Sequence, residues 1–74
     1  MIDLAQLRRM AGVTQVQLAE ALATSQGQIS RIERQSDMLL STLSAYLTAL
    51  GVEASLVVLM DGETITQSLT EGDR

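Results

Sequence analysis

Residues 14–34, TQVQLAEALATSQGQISRIER, constrain the fold more than any other stretch of the chain. They read as two short helices joined by a tight turn. Leu18, Ala19 and Leu22 fall on one face of the first of these at helical spacing. Ala19 is small, as a close helix crossing requires. Ser25 is a natural N-cap for the second, because its hydroxyl can accept from a free backbone N–H. Ile29 and Ile32 are three residues apart and point back at Leu18 and Leu22. Gln26, Gly27, Gln28, Ser30, Arg31 and Arg34 are left facing outward. An ordinary solvated helix face is rich in Glu and Lys, and this one is not. A helix pair of that shape and polarity suits the presentation of its second helix to a major groove of DNA.

The flanking sequence completes a small domain. Residues 2–11 read as a first helix, with Asp3 near its start, Leu4, Leu7 and Ala11 on one face and Gly12 as its stop. Thr14 caps the second helix, and the third runs over residues 26–34. Residues 35–41 form a loop in which Met38, Leu39 and Leu40 should fold back over the core. Ser41 or Thr42 caps a fourth helix with the stripe Leu43, Tyr46, Leu47 and Leu50, and Gly51 ends it. The period then changes from 3.6 to 2. Residues 53–60 form a strand, Asp61-Gly62 a two-residue turn and residues 63–69 the return strand, with Ile65 and Leu69 on its apolar face. The expected architecture is mainly α: a four-helix helix-turn-helix domain over residues 1–52, an antiparallel two-stranded ribbon over 53–69 and a polar, frayed tail over 70–74.

The first strand is apolar on both sides. Ala54, Leu56, Val58 and Met60 point one way and Val57 and Leu59 the other. One side can cover the helices. The other needs a partner, since a two-stranded ribbon is not stable alone. A two-fold homodimer whose hairpins meet through Val57 and Leu59 answers that need. Seventy-four residues bury only a limited core, which also favours association.

Composition narrows the chemistry. The chain has no Cys and no His, which excludes disulfides, Cys/His zinc sites and His acid–base catalysis. No pair of the remaining polar residues forms a recognisable catalytic arrangement, so no enzyme, cofactor or metal is expected. There is no signal peptide and no apolar run long enough to span a bilayer, so a soluble cytoplasmic protein is expected. The net charge of −4 runs against nucleic-acid binding at first sight. Its distribution softens that objection. Residues 1–36 carry four Arg against Asp3, Glu20 and Glu33, whereas residues 37–74 carry one Arg against six carboxylates.

TQVQLAEALATSQGQISRIER resembles the helix-turn-helix of the Cro- and phage-repressor-like (XRE) family of bacterial regulators. The TQ opening, LAE, the SQ before the second helix and the ISRIER close all match its pattern. The following DMLLSTLSAYLTALG is similar to a subgroup in which an STL-containing helix ends in ALG and runs into a hairpin. Many members of that subgroup are antitoxins of the host-inhibition-of-growth (HigA) type. The resemblance spans roughly residues 3–60. Two residues depart from it. Ala23 stands where the family usually has Gly in the turn, so either the turn differs or a strain of about 1 kcal/mol is tolerated. Gly27 lies inside the third helix at a cost of roughly 1 kcal/mol, through drift or to let the helix approach DNA closely.

The resemblance implies a lambda-repressor-like fold and a recognition helix at residues 26–34. Carried onto this sequence, Gln26 reaches a base edge, for which its amide suits adenine. Arg31 contacts guanine or a phosphate. Thr14, Gln15 and Ser25 hold phosphates from helix N-termini. Gln28 and Ser30 lie at backbone or flanking contacts, Gly27 lets the helix backbone approach DNA closely, and Arg34 meets a phosphate, the neighbourhood of Glu33 or solvent. Arg8 and Arg9 divide evenly between DNA contacts and ordinary surface charges. The implied partners are a palindromic double-stranded DNA operator, a second copy of the chain and, in the antitoxin reading, a cognate ribonuclease toxin. The implied role is an autoregulating repressor, with the antitoxin as its alternative.

Overall fold

The computed structural model describes residues 2–70, with four helices followed by a two-stranded antiparallel sheet. The helices are α1 (Leu4–Met10), α2 (Gln15–Ala21), α3 (Gln26–Arg34) and α4 (Leu40–Leu50), and the strands are β1 (Ser55–Met60) and β2 (Glu63–Ser68). Each of the first three helices begins on a side chain that satisfies a free backbone donor. The Asp3 carboxylate accepts from Gln6 N–H, Thr14 Oγ1 from Gln17 N–H and Ser25 Oγ from Gln28 N–H. At α2 the Gln17 side chain also accepts from Thr14 N–H, which closes a capping box.

Leu4, Leu18, Ala19, Ile29, Ile32, Tyr46, Leu47 and Leu50 form the core, and Leu7, Val13, Leu22, Met38 and Leu43 pack against it. The expected inward residues of α2, α3 and α4 therefore all reach the core or its margin. Ala11 does not: it is exposed at the C-cap of α1, and the buried residue of that turn is Arg8.

Three further expectations are corrected. Helix α4 starts at Leu40 with Leu39 at its N-cap and no side-chain cap bond, so Ser41 and Thr42 lie inside the helix and cannot cap it. In the preceding loop only Met38 turns to the core; Leu39 and Leu40 are 72% and 52% exposed. Beyond its base, the hairpin does not cover the helices. Every residue of β1 and β2 is exposed, including Leu56, Val58, Met60 and Ile65 on the side expected to face the helices.

The ribbon is held at its base alone. Leu69 N–H donates to Ala54 C=O at 2.8 Å, Ser44 Oγ donates to Leu69 C=O, and Ala54 and Val52 pack on the core margin. Thr70, the first residue of the expected frayed tail, is instead buried there, with its Oγ1 accepting from Ala54 N–H. Residues 71–74 of that tail lie outside the described residues. The register pairs Met60 with Glu63 and Ser55 with Ser68 around the Asp61-Gly62 turn. Both turn residues have positive φ, 46° and 81°, as a type I′ hairpin requires.

Ala23 adopts φ 55°, the left-handed conformation that its family position demands. The strain is therefore present. Left-handed geometry costs an L-residue about 1–2 kcal/mol, and glycine returns part of that as unfolded-state entropy, about 0.4–1 kcal/mol. Ala23→Gly is expected to stabilise the fold by about 0.5–1 kcal/mol, a rise of a few degrees in Tm by far-UV circular dichroism. An unchanged or lower Tm would show that the turn carries no strain.

Candidate nucleic-acid interface

Helix α3 turns Ile29 and Ile32 into the core and leaves Gln26, Gly27, Gln28, Arg31 and Arg34 exposed, with Ser30 half-buried. Its first N–H groups have no intrahelical partner, and Ser25 Oγ takes up the one at Gln28. Thr14 and Ser25, at the N-caps of α2 and α3, are exposed. A cleft between the end of α1 and the start of α2 is lined by Arg9, Thr14, Gln15, Val16 and Gln26 among others. The fold thus brings the N-terminal residues of α2 and α3 to one surface. Arg34 Nη1 donates to Ser30 Oγ at 2.7 Å, which places it along α3 and away from Glu33. Nothing in the fold requires glycine at position 27, since an added Cβ would meet only Ser25 Oγ at 3.9 Å.

Glu33 is the one acidic residue of α3, and its side chain is only 5% exposed. Arg8 Nε donates to its Oε2 at 2.6 Å and Nη2 to its Oε1 at 3.3 Å. Tyr46 Oη donates to Oε2 at 2.5 Å, and Gln15 Nε2 to Oε1 at 3.0 Å. Four donors therefore occupy the two oxygens, the full capacity of a carboxylate. Burial pushes the Glu33 carboxyl pKa up, but these bonds outweigh it and hold the group below its ordinary range. The bond to Glu33 raises the Arg8 pKa against the opposing effect of burial. Burial first, and then the bond to Glu33, raises that of the Tyr46 phenol. The remaining Arg8 donor, Nη1, bonds Val13 C=O at 3.1 Å. Arg8 is thus a buried structural residue and not the ordinary surface charge expected as one alternative, whereas Arg9 stays exposed beside the cleft.

Sequence reasoning missed this network, although a signal was there. Arg8 follows Leu4 by four residues, and Glu33 follows Ile29 by four, so each charge sits on the apolar stripe of its own helix. Two opposite charges at inward positions mark a buried pair.

Pairing also changes the local electrostatics. With Glu33 neutralised inside, the outer face of α3 presents Arg31 and Arg34, amides and a hydroxyl, and no carboxylate. Such a surface can donate to phosphates and both donate to and accept from base edges. No helix of the described residues is long and apolar enough to cross a membrane.

Comparison with known proteins agrees with this geometry. No curated protein and no solved structure gives a match. The helix-turn-helix family model, of the Cro/C1 type, matches residues 4–57, from the start of α1 into β1. That match takes in all four helices, and this chain belongs to the helix-turn-helix family of DNA-binding regulators.

Proposed function

We propose that this chain is a dimeric, sequence-specific repressor that binds a palindromic operator through α3 and regulates its own promoter. The observation that carries the reading is the outer face of α3, free of carboxylate because its only acid is buried against Arg8. Gln26 reads a base edge at the N-terminus of α3. Arg31 reads guanine or a phosphate, and Thr14, Gln15, Ser25 and Arg34 hold the backbone. Gly27, Gln28 and Ser30 border the same groove. Two copies related by a two-fold axis would set their recognition helices about 34 Å apart, one turn of the duplex, so the half-sites lie about 10 base pairs apart. The role needs no cofactor and places the protein in the cytoplasm. Few Arg residues are available per subunit, so affinity is modest and falls steeply with salt.

The test is a gel-shift titration against the chain's own upstream DNA at two salt concentrations, with scrambled DNA as control. Specific, salt-sensitive binding is expected, and Gln26→Ala should cost about 1–3 kcal/mol of it. Equal binding to scrambled DNA would overturn the reading, and an unchanged Gln26→Ala variant would remove Gln26 from base reading.

One observation favours a second role beside the first. Both sides of the ribbon expose apolar residues, and a homodimer through Val57 and Leu59 leaves Leu56, Val58, Met60 and Ile65 uncovered. That surplus supports an antitoxin of the HigA type, which would hold a ribonuclease toxin as well as operator DNA. Co-expression with the product of an adjacent toxin gene distinguishes the two: a stable complex supports the antitoxin, and independent elution of the two proteins counts against it.

A further inference from the structure

The buried carboxylate of Glu33 is connected to the surface of α3 through two amides in series. Gln15 Nε2 donates to Glu33 Oε1 at 3.0 Å, and Gln26 Nε2 donates to Gln15 Oε1 at 3.1 Å. A carboxylate can only accept. The nitrogen end of the Gln15 amide must therefore face Glu33, which leaves its oxygen facing α3. That oxygen can also only accept, so Gln26 must turn its own nitrogen end inward. The acceptor-only carboxylate therefore fixes both amide orientations. Gln26 is left with a free Oε1 and one free N–H facing out. An acceptor beside a donor is the pattern that complements the N6 amino group and N7 of adenine in the major groove.

We infer that Glu33 is a specificity-positioning residue: held by Arg8 and Tyr46, its carboxylate fixes the polarity of Gln15 and, through it, the donor–acceptor order that Gln26 offers to a base. Reversing the Gln26 amide would set two oxygens against each other at Gln15, and reversing both would restore that bond but set the Gln15 oxygen against a Glu33 oxygen. The preferred order is thus imposed from the core before DNA arrives, which lowers the ordering cost of binding. The inference rests on Gln26 as the base reader.

Single loss of Glu33 strands Arg8 in the core, so the informative variant is Arg8→Met/Glu33→Met, which removes both charges at constant net charge and similar volume. Two readouts are needed. In the free protein, NMR relaxation of the side-chain NH2 groups should show Gln15 and Gln26 ordered in the wild type. Both should become mobile in the double variant while the backbone spectrum stays dispersed. Selection from randomised DNA should then show the base preference at the Gln26 position falling about tenfold, with preferences elsewhere and affinity for unrelated DNA retained. A purely structural role would lower affinity for all sites together and leave the relative base preferences intact. If Gln26→Ala alters one position and the double variant alters none, the positioning role is overturned. If Gln26→Ala alters no position, it is the assignment of Gln26 as base reader that fails. Loss of a dispersed spectrum in the double variant would also overturn the inference, since Glu33 would then be needed for the fold itself.

Discussion

Glu33→Ala is expected to leave the chain largely unfolded at room temperature. A single core of this size supplies only about 3–5 kcal/mol of net stability. Removing one partner of a buried ion pair costs about 3–5 kcal/mol, because the other charge stays behind unpaired. Here the stranded group is Arg8, whose side chain is 10% exposed and would keep a single bond, to Val13 C=O. Tyr46 Oη would fall back on Leu4 C=O at 3.2 Å, a poorer acceptor than the carboxylate. The control is Arg8→Met/Glu33→Met. Replacing a buried pair by apolar groups of similar volume is often neutral, so this variant is expected to melt cooperatively within about 1–2 kcal/mol of wild type. A Glu33→Ala protein with nearly wild-type melting would show that the pair acts as a surface pair does. The same network sets the response to pH. The folded carboxyl pKa lies below the unfolded value, so its contribution is complete above about 4.5 and drains as pH falls through the folded pKa. The Tyr46 phenol works in the opposite sense: its folded pKa is raised, so its contribution is complete below about 10 and is lost at higher pH.

The helices were legible because each carries its own local instructions. Ser25 and Thr14 cap where expected, Gly12 and Gly51 take the left-handed conformation just past α1 and α4, and Asp61-Gly62 makes the turn that its residue types demand. These signals act within a few residues, and a one-dimensional reading captures them. What failed was non-local. Leu39 and Leu40 look like core residues, yet only Met38 finds an open place in it, and the two leucines stay outside. The apolar alternation of β1 describes a strand with a buried side, but which surface covers it depends on where the ribbon leaves α4. Arg8 and Glu33 lie 25 residues apart, and their pairing requires α1 and α3 to be docked first. The outward set on α3 follows from helical period alone and was named; the coupling of Gln26 to the core through Gln15 was not, because it passes through Glu33.

On the proposed dimeric reading, the Val57→Lys/Leu59→Lys variant is expected to be a folded monomer that has lost nearly all operator affinity. Val57 and Leu59 are 54% and 77% exposed, and they share one side of the ribbon with Ser55, Thr64, Thr66 and Ser68. They touch no core residue, so a polar substitution costs the isolated chain little. Across a two-fold interface, however, like charges meet and must be desolvated, and association should fail. The consequence for DNA is multiplicative. In a dimer the second recognition helix binds at an effective concentration set by the first, which strengthens binding to a palindrome about 10²–10⁴-fold over one subunit. Lys is the demanding choice, since two added positive charges per chain favour DNA, and any loss of affinity must overcome that gain. Light scattering should report half the wild-type mass, the full palindrome should bind about 10²–10⁴-fold more weakly, and an isolated half-site should bind no worse than before. A variant that remains dimeric would move the interface to Leu56, Val58, Met60 and Ile65. A monomer that still binds the palindrome tightly would mean that one copy of α3 suffices, and the two-fold operator would have to be abandoned.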